Sequence, residues 1–344
     1  RREHPEDNRD SLQFKRVQNL PDFIARRFDE NKAHQTVTRS FDRIKYNLSR
    51  LDDAAPDLRK VLPSKPFNRV FEDFIIKSQL ASTPDETNPI ESLENVGKVT
   101  IIGQGEGGIK DDQSAPMESR NVHPSHLGII DPSRTPESRM AGLDQRFTIT
   151  ARRDKEGTMY SRALDAKTGK EVYLSTHELM VHVVGFPGEK DNGKPVVTAQ
   201  VNGEFRKVPR EQVQYWIPSG TDMYTITTNL VPFLNSNHPG RLTMAGKALP
   251  QALSLVGREA PLVQTVDPNS GHSYVHHIGK IISTLAPTDG TITKATDEEI
   301  HIKGTDGKNH VVDFVKNLPF NMKGFHDDEP YQHKVGDKVT AGQT

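Results

Sequence analysis

The first candidate for chemistry in this sequence is a glycine-rich stretch. Gly103, Gly105 and Gly108 fit the pattern G-x-G-x-x-G, and the strand-like residues 99–102 precede them. In dinucleotide-binding enzymes a helix follows this pattern, and its N-terminal amides hold the pyrophosphate. Residues 110–116, Lys-Asp-Asp-Gln-Ser-Ala-Pro, are a poor start for a helix. We therefore favour a flexible glycine loop and keep a nucleotide-dependent oxidoreductase as the weaker alternative.

Histidine pairs are the candidates for metal binding. His123 and His126 lie three residues apart, but Pro124 disfavours a helix there and no third ligand is nearby in the sequence. His276 and His277 would point to opposite sides of a strand. The absence of cysteine excludes disulfides, thiolate ligands and a cysteine nucleophile. Because there is also no Asp-x-Asp-x-Asp cluster for Mg²⁺, we expect this chain to bind no metal or other cofactor itself.

Composition narrows the function classes further. A length of 344 residues predicts two to three modules. Hydrophobic residues make up 33% and charged residues 26%, so long stretches should lie on polar surface or against polar partners. The net charge of −1 predicts that any nucleic-acid contact is local. No long apolar window exists, so we expect neither a membrane span nor a secretion signal.

Hydrophobic spacing predicts the helices that position these residues. Leu20, Ile24 and Phe28 lie four apart and predict a surface helix. Residues 66–80 predict the clearest helix, because proline suits its first turn and five apolar residues form one stripe. Residues 81–98 predict a turn-rich loop.

Strands are predicted from about residue 145 onward. Phe147, Ile149 and Ala151 alternate with polar residues, as half-buried strands do. Residues 179–184 and 196–201 are short apolar runs bounded by turn-forming residues. These patterns predict a β-rich region in the middle of the chain.

The last third of the sequence predicts one helix followed by strands. A helix should begin near Pro239 and end near Pro250. Residues 260–344 predict strands again, with a hairpin over 300–315 around a Thr-Asp-Gly turn. This region therefore mixes a helix with an antiparallel sheet.

Five segments, in the same order, resemble one protein family. Residues 64–90 align without a gap with its motif A-K-P…S-Q-L…N-P-L, and residues 120–143 match R-D-V-H-P-T-H…E-T-P-E-G. Residues 210–215 match R-x-Q-V-D-Y, residues 229–263 match N-L-I-P-F-L through E-A-P-L-V, and residues 334–342 match K-V-G-D-x-V-x-x-G. The sequence resembles the β subunit, the second-largest subunit, of bacterial-type multisubunit DNA-directed RNA polymerase.

This resemblance implies a subunit of a nucleotidyltransferase. In the family this stretch builds the fork loops, the drug-binding wall of the main channel and the start of the hybrid-binding domain. The active centre joins nucleotides by a two-metal phosphoryl transfer, and the metal-binding carboxylates belong to the β′ subunit. The resemblance therefore implies no catalytic residue in this chain, Mg²⁺ only in the assembled active centre, and no activity of the chain alone.

The resemblance also implies which residues bind nucleotide and RNA. Arg241 would face the incoming nucleoside triphosphate, since a guanidinium fork suits a phosphate. Met244 and Gln251 would lie beside the RNA 3′ end and the A-form RNA–DNA hybrid, which is recognised by shape. Residues 104–119 would form the fork loop near the downstream DNA. The glycines assigned to this loop are Gly105, Gly107 and Gly108, together with Gly103 immediately before it.

The positions equivalent to the rifamycin pocket differ from the family pattern. The family motif H-K-R-R begins here with Asn95 and ends with Lys98, and the serine after it is Thr100. Pro250 replaces an arginine, and Asp85 is the remaining equivalent position. Because most polar and cationic partners of the drug are gone or changed, we expect a rifamycin-resistant polymerase.

Two further departures concern the extent of the chain and one motif. The family tetrad C-P-I-E is Asp131-Pro132-Ser133-Arg134 here. The chain does not begin with Met, and it stops before the two active-site lysines of the family. We therefore expect either a fragment or one half of a naturally split β subunit, an arrangement found in polymerases of large phages.

The expected partners follow from the same resemblance. They are β′-like subunits, a second β piece with the missing C-terminal half, the DNA template, the RNA–DNA hybrid and nucleoside triphosphates, in a host cytoplasm or a virion and without a membrane. The alternative is a non-catalytic β-like scaffold or transcription factor that associates with polymerase.

We predict an α+β fold. A helical fork region should precede an antiparallel β-rich region, and the beginning of a hybrid-binding β-barrel should be completed by another chain or segment. The predicted regions are a polar, partly helical segment (1–61), a fork and rifamycin-pocket-like region (62–144), a β-rich region (145–228) and the start of the hybrid-binding domain (229–344).

Overall fold

The structure is a computed structural model that describes most of the chain. The described residues are 8–29, 31–50, 72, 75, 76, 78, 80–83, 85, 87–103, 107–253, 259–320, 324–326 and 334–344. Most of the predicted helix 66–80 lies outside them, although Glu72, Ile75 and Ile76 are helical. The division of the chain into four regions stays a prediction.

Helices with described bounds occur along the whole chain. They are α1 (Leu20–Asp29), α2 (Asn31–Ser49), α3 (Pro89–Val96), α4 (Thr176–Val181), α5 (Ile226–Asn229), α6 (Pro239–Ala248) and α7 (Tyr274–Ile282). The prediction of α1 from its four-residue spacing is confirmed. The predicted helix from Pro239 is confirmed as α6, and Pro250 lies in the short 3₁₀ turn that follows it.

The strands form two larger sheets and two short pairs. They are β1 (Lys98–Thr100), β2 (Asp144–Arg146), β3 (Arg152–Arg153), β4 (Met159–Asp165), β5 (Glu171–Ser175), β6 (Val184–Gly185), β7 (Val196–Val201), β8 (Glu204–Pro209), β9 (Tyr215–Trp216), β10 (Gly290–Ala295), β11 (Glu299–Gly304), β12 (Asn309–Asp313), β13 (Leu318–Phe320), β14 (Gly324–His326) and β15 (Lys338–Val339). The seven-stranded sheet has the order β3-β4-β9-β6-β7-β8, with β5 also paired to β4. Its β6–β9 pair is parallel.

The second sheet has the order β12-β11-β10-β15, and its pairs are antiparallel. The predicted hairpin over 300–315 is confirmed as β11 and β12, and the predicted strand 196–201 is confirmed as β7. The α+β prediction is therefore confirmed. The described strands do not close into a barrel.

The prediction of a turn-rich loop over 81–98 is wrong for its second half, which forms α3. Asn88 is the N-cap, and its side-chain oxygen accepts a hydrogen bond from the N–H of Ile90 at 3.0 Å. Pro89 occupies the first helical position, where a missing N–H is tolerated. The Asn-Pro pair was therefore a helix start rather than a turn signal.

Two further strand predictions are wrong because a capping side chain starts a helix in each segment. Residues 179–181 belong to α4, because Ser175 and Glu178 form a reciprocal capping box at its start. His276 and His277 lie on α7, where the Ser273 side chain accepts from the N–H of His276 at 3.1 Å. In both segments a capping side chain, rather than the apolar run, decided the secondary structure.

The alternating residues Phe147, Ile149 and Ala151 do not form the predicted strand. Phe147 makes one isolated bridge with Ile130. The N–H of Ile149 donates instead to the carbonyl of Tyr224 at 2.9 Å. The main chain here therefore bonds to several separate segments rather than to one neighbouring strand.

The main hydrophobic core packs the seven-stranded sheet against the segment 127–130. Ile129, Leu179 and Ile217 are fully buried in it. Leu12 from the N-terminal segment joins this core, and its N–H donates to the buried Ser125 Oγ at 2.9 Å. The N-terminal segment is thus held to the middle of the chain by both apolar packing and a buried hydrogen bond.

A search for membrane-spanning segments gave a negative result. Within the described part of the chain, none of the helices combines the length and the apolar character that crossing a bilayer requires.

Candidate functional site

Helix α6 presents two of the predicted site residues on one exposed face. Arg241 and Met244 lie three residues apart, and Arg241 Nη1 is 3.5 Å from the Met244 sulphur. Residues at this spacing share a helix face. The opposite face of α6 buries Leu242 and Gly246. Among the described residues, the Arg241 guanidinium contacts this sulphur and no carboxylate. Its remaining N–H donors are therefore available to a ligand.

The turn after α6 carries Pro250 and Gln251. Pro250 is buried and Gln251 is exposed. The side-chain amide of Asn88 donates to the carbonyl of Leu249 at 3.0 Å and to that of Ala252 at 2.9 Å. Since these two carbonyls flank Pro250 and Gln251, Asn88 holds the turn against the start of α3. The structure therefore brings the third predicted residue, Gln251, to the C-terminal end of the helix that carries Arg241 and Met244.

A buried ion pair lies beneath this helix. Arg134 Nε is 2.7 Å from Glu94 Oε2, and the two residues are only 7% and 4% exposed. Thr227 Oγ1 donates to the other oxygen of Glu94. Arg146 Nε lies 3.8 Å from Glu94 as well. Burial lowers the pKa of the Arg146 guanidinium, the neighbouring Arg134 charge acts in the same direction, and Glu94 opposes both. Glu94 therefore lies close to two buried cations, and the buried Asp144 also offsets the charge of Arg146.

Asp131 ties the same region together from the other side. Its Oδ1 accepts from the N–H of Ser133 at 2.8 Å and from the N–H of Arg134 at 3.2 Å. Its Oδ2 accepts from the N–H of Thr225 at 2.7 Å and from Thr228 Oγ1 at 2.8 Å. The turn 131–134 is thereby fixed to the N-terminus of α5. Asp131 is the first residue of the altered C-P-I-E tetrad, for which the sequence alone indicated no role.

The glycine loop has a closed base. The N–H of Gly103 donates to the carbonyl of Ile109, and the N–H of Ile109 donates to the carbonyl of Ile101, both at 2.9 Å. Gly105 lies outside the described residues, whereas Gly107 is exposed with a positive φ of 72°. A 3₁₀ turn of three residues, Asp112–Ser114, follows.

This geometry contradicts the dinucleotide-binding alternative. The described segment 107–123 contains only three-residue 3₁₀ turns, so it has no helix N-terminus to hold a pyrophosphate. The glycine loop leaves the end of β1 at Ile101, and its far end returns at Ile109, which is hydrogen-bonded to Ile101 and Gly103. We therefore reject the oxidoreductase alternative, which depended on such a helix.

Arg120 anchors the segment that follows the glycine loop. Its Nη1 donates to the carbonyls of Arg139 at 2.6 Å and Ala141 at 2.9 Å, and its Nη2 donates to the carbonyl of Asp112 at 2.8 Å. The carbonyl of Arg120 itself approaches Gly142, where an added Cβ would lie 2.3 Å from that oxygen. Arg120 was part of a matched motif, but its clamping role was not foreseen from the sequence.

Three of the positions equivalent to the rifamycin pocket lie on α3 and β1. Asn95 is exposed on α3, and its amide donates to Glu91 at 3.1 Å. Lys98 Nζ lies 3.4 Å from Asp144 Oδ2 across the β1–β2 pair. Thr100 Oγ1 accepts from the N–H of Ile102 at 3.2 Å. These side chains therefore already have partners within the chain.

The other two positions equivalent to the rifamycin pocket, Asp85 and Pro250, lie near the start of α3. Asp85 Oδ1 accepts from the N–H of Thr87 at 3.1 Å, just before the helix begins. Pro250 lies beside Leu249, whose carbonyl is held by Asn88. The structure thus gathers Asp85, α3 and Pro250 in one region, while the drug-binding role of these positions stays a prediction.

In the described part of the chain, neither His123 and His126 nor His276 and His277 belong to a possible metal site. Across the described residues, no group of three or more His, Cys, Asp or Glu side chains is arranged to hold a metal ion. The rings of His123 and His126 are 6.2 Å apart. Burial lowers the pKa of His126 to about 4, aided by the neighbouring His123 and Lys15 charges. His126 is therefore a neutral, buried side chain at neutral pH.

Comparison with known proteins agrees with the class that the motifs indicated. The family model described as RNA polymerase Rpb2, domain 3, matches residues 82–152. This stretch contains α3, the glycine loop and the turn 131–134.

Full-length relatives extend that similarity over most of the chain. The DNA-directed RNA polymerase subunit beta of Caulobacter sp. (strain K31) is 30% identical over 354 residues, which covers 98% of this chain and 25% of that protein. The subunit beta of Rhizorhabdus wittichii is 27% identical over 98% of this chain and 23% of its own length. That of Prochlorococcus marinus (strain MIT 9312) is 28% identical over 81% of this chain and 26% of its own length.

The predicted resemblance to polymerase β subunits is confirmed by these similarities. The chain spans about a quarter of the length of the curated relatives that it matches. The similarity therefore extends over one segment of such subunits.

Proposed function

We propose that this chain is part of the β subunit of a DNA-dependent RNA polymerase. It lines the main channel near the active centre and contacts the incoming nucleotide, the RNA 3′ end and the RNA–DNA hybrid. Template-directed RNA synthesis then takes place only in the assembled complex. The observation that carries this proposal is the exposed face of α6, with Arg241 and Met244 side by side, in a chain that β subunits match over 98% of its length.

The chemistry of the exposed residues supports this role. The Arg241 guanidinium offers a rigid fork of N–H donors that fits two phosphate oxygens at once. The Met244 thioether is apolar and polarisable, which suits contact with a base or sugar. Gln251 supplies an amide donor and acceptor at the end of the same helix. One positive and two uncharged groups on this surface agree with a near-neutral chain that binds nucleic acid only locally.

We propose that partner subunits, rather than this chain, hold the catalytic metal ions. The described residues hold no cluster of carboxylates that fits Mg²⁺. In the proposed complex, β′-like subunits would supply the metal ligands, and Mg²⁺ would stabilise charge on the transferred phosphoryl group. This chain orients the triphosphate and the RNA end.

The proposed partners are β′-like subunits, a second β piece, the DNA template, the hybrid and nucleoside triphosphates. An origin in a phage-encoded polymerase with a split β subunit is also our proposal. The test is purification of the tagged chain from its native source, followed by mass spectrometry and a template-directed synthesis assay. We expect β′-like chains, a β piece with the missing lysines, and RNA synthesis by the purified complex.

Two results would contradict this proposal. Recovery of the chain alone, folded and without polymerase subunits, would exclude a polymerase subunit. Recovery with polymerase whose synthesis does not depend on Arg241 would favour the alternative, a non-catalytic scaffold or transcription factor.

A further inference from the structure

Helix α6 packs close to Arg134 at Gly246. Gly246 is buried, and a Cβ added to it would lie 3.4 Å from Cδ of Arg134 and 3.8 Å from Oγ1 of Thr228. Position 246 therefore faces the Arg134 side chain, with room for a methyl group but not for a large side chain.

Arg134 in turn has its place fixed by two acidic residues. Its guanidinium Nε is 2.7 Å from Glu94, and its main-chain N–H donates to Asp131 at 3.2 Å. Glu94 also accepts from Thr227 on α5, the helix that precedes α6 in the chain. Since the pair is almost fully buried, loss of one partner would leave an uncompensated charge that has to move towards water.

Helix α3 supports α6 at both ends of the contact. Its N-cap, Asn88, holds the carbonyls of Leu249 and Ala252 after α6. Near its C-terminus, Glu94 holds Arg134 beneath Gly246. One eight-residue helix therefore fixes α6 at Gly246 and at the following turn.

The supported face of α6 is nearly opposite the face that carries Arg241. Gly246 follows Arg241 by five residues, which places the two about 7.5 Å apart along the axis and about 140° apart around it. A displacement of the helix at Gly246 must therefore move the Arg241 guanidinium, because the helix is a rigid element over this distance.

We infer that Glu94 and Arg134 are positioning residues for Arg241. The buried pair sets the depth and rotation of α6, and this in turn sets where the guanidinium meets the triphosphate. The inference rests on the proposed function of Arg241. It also gives a role to the altered tetrad, where this sequence has Arg134 in place of the glutamate of the family motif.

The test uses the polymerase complex purified through the tagged chain, with single-nucleotide addition measured at varied nucleoside triphosphate concentration. Glu94→Gln unpairs Arg134. Gly246→Leu keeps the ion pair but pushes α6 away from Arg134. Because a misplacement of about 1 Å can cost a factor of about 100 in rate, we expect both variants to lower kcat/KM for the triphosphate at least about tenfold per active complex.

The controls separate positioning from loss of structure. Gly246→Ala should leave kcat/KM unchanged, since its Cβ meets Arg134 at an ordinary contact distance of 3.4 Å. Glu171→Gln breaks an ion pair with Arg162 on the distant seven-stranded sheet and should also have no effect, because Arg162 keeps Asp222. A merely structural role would reduce the amount of assembled complex but leave the KM of each active complex normal.

The last comparison places each change in an Arg241→Ala background. If the pair acts through Arg241, Glu94→Gln should add little to the loss already caused by Arg241→Ala. A normal kcat/KM in both Glu94→Gln and Gly246→Leu, with a lowered kcat/KM in Arg241→Ala, would overturn the inference alone. A normal kcat/KM in Arg241→Ala would overturn the inference and the proposed role of Arg241 together.

Discussion

The side-chain amide of Asn88 lies 3.0 Å from the main-chain carbonyl of Leu249, although the two residues are 161 positions apart in the sequence. This contact joins the N-cap of α3 to the turn after α6. The surface of Arg241, Met244 and Gln251 therefore depends on a helix that forms within the region predicted as a loop. The first prediction tests this dependence.

Asn88→Asp should release the turn without removing the helix cap. Aspartate keeps the oxygen that accepts from the N–H of Ile90, but it has no amide hydrogens for Leu249 and Ala252. We expect a loss of about 1–2 kcal/mol in the free energy of unfolding, together with faster hydrogen exchange in residues 249–253. Asn95→Asp is the matched control, since its exposed amide contacts only Glu91 on the same helix. Equal effects of the two variants would contradict the prediction.

Arg241→Ala should weaken the use of nucleoside triphosphates by the assembled polymerase. Loss of charge-assisted hydrogen bonds to phosphate is expected to raise KM by about tenfold or more. Arg241→Lys should recover only part of the loss, because an ammonium cannot make the paired contact. Lys247→Ala, an exposed cation on the same helix, is the control and should behave as the unaltered protein. Elongation assays at varied triphosphate concentration measure this, and an unchanged KM in Arg241→Ala would refute it.

Gly142→Ala should destabilise the clamp around Arg120. Gly142 has a positive φ of 74°, and its added Cβ would lie 2.3 Å from the carbonyl oxygen of Arg120. Gly169 has a similar φ of 68° but nothing within 4 Å. Backbone strain alone predicts a loss of about 1 kcal/mol for Gly169→Ala, while strain and overpacking together predict about 2–4 kcal/mol for Gly142→Ala. Chemical denaturation measures the free energy of unfolding of both variants. Equal losses would show that the close approach of Gly142 to Arg120 does not contribute to stability.

Protonation of His126 should destabilise the fold at acidic pH. Burial lowers the pKa of His126 from 6.5 to about 4. Between these values the unfolded chain binds more protons than the folded one, so stability is full above pH 6.5 and falls as the pH drops towards 4. The expected loss is at most about 3 kcal/mol. Denaturation curves across this pH range measure it.

Two variants serve as controls for that pH dependence. His126→Gln should flatten the part of the curve that His126 causes, since glutamine does not titrate. His276→Gln should change the curve less than His126→Gln does, because His276 is exposed on α7, where water weakens the effects that lower its pKa, desolvation being the largest. A His126→Gln curve with the original slope would assign the pH dependence to other groups.

A polymerase that contains this chain should resist rifamycins. Pro250 offers neither charge nor a hydrogen-bond donor, Asn95 is uncharged, and Lys98 lies beside Asp144. Most of the cationic and polar groups expected to hold the drug are therefore missing or engaged. Promoter-initiated RNA synthesis with increasing drug concentration measures this. Strong inhibition at low micromolar drug would contradict it.

Sequence patterns predicted the elements whose signals are local. The hairpin of β11 and β12 has alternating apolar residues around a Thr-Asp-Gly turn, and α6 begins with a proline at its first position. The predictions for α4 and α7 failed because capping by Ser175 and Ser273 outweighed the apolar runs. The capping signals were present in the sequence, since Ser175 and Glu178 have the spacing of a capping box.

The sequence by itself determined the α+β class, the resemblance to polymerase β subunits and the spacing that places Arg241 and Met244 on one helix face. It did not reveal that Glu94 and Arg134 meet beneath that helix, or that Asn88 holds the turn with Gln251. These contacts join residues far apart in the chain, and their energy depends on burial and geometry that exist only after folding. Only the tertiary structure could therefore decide what supports the site.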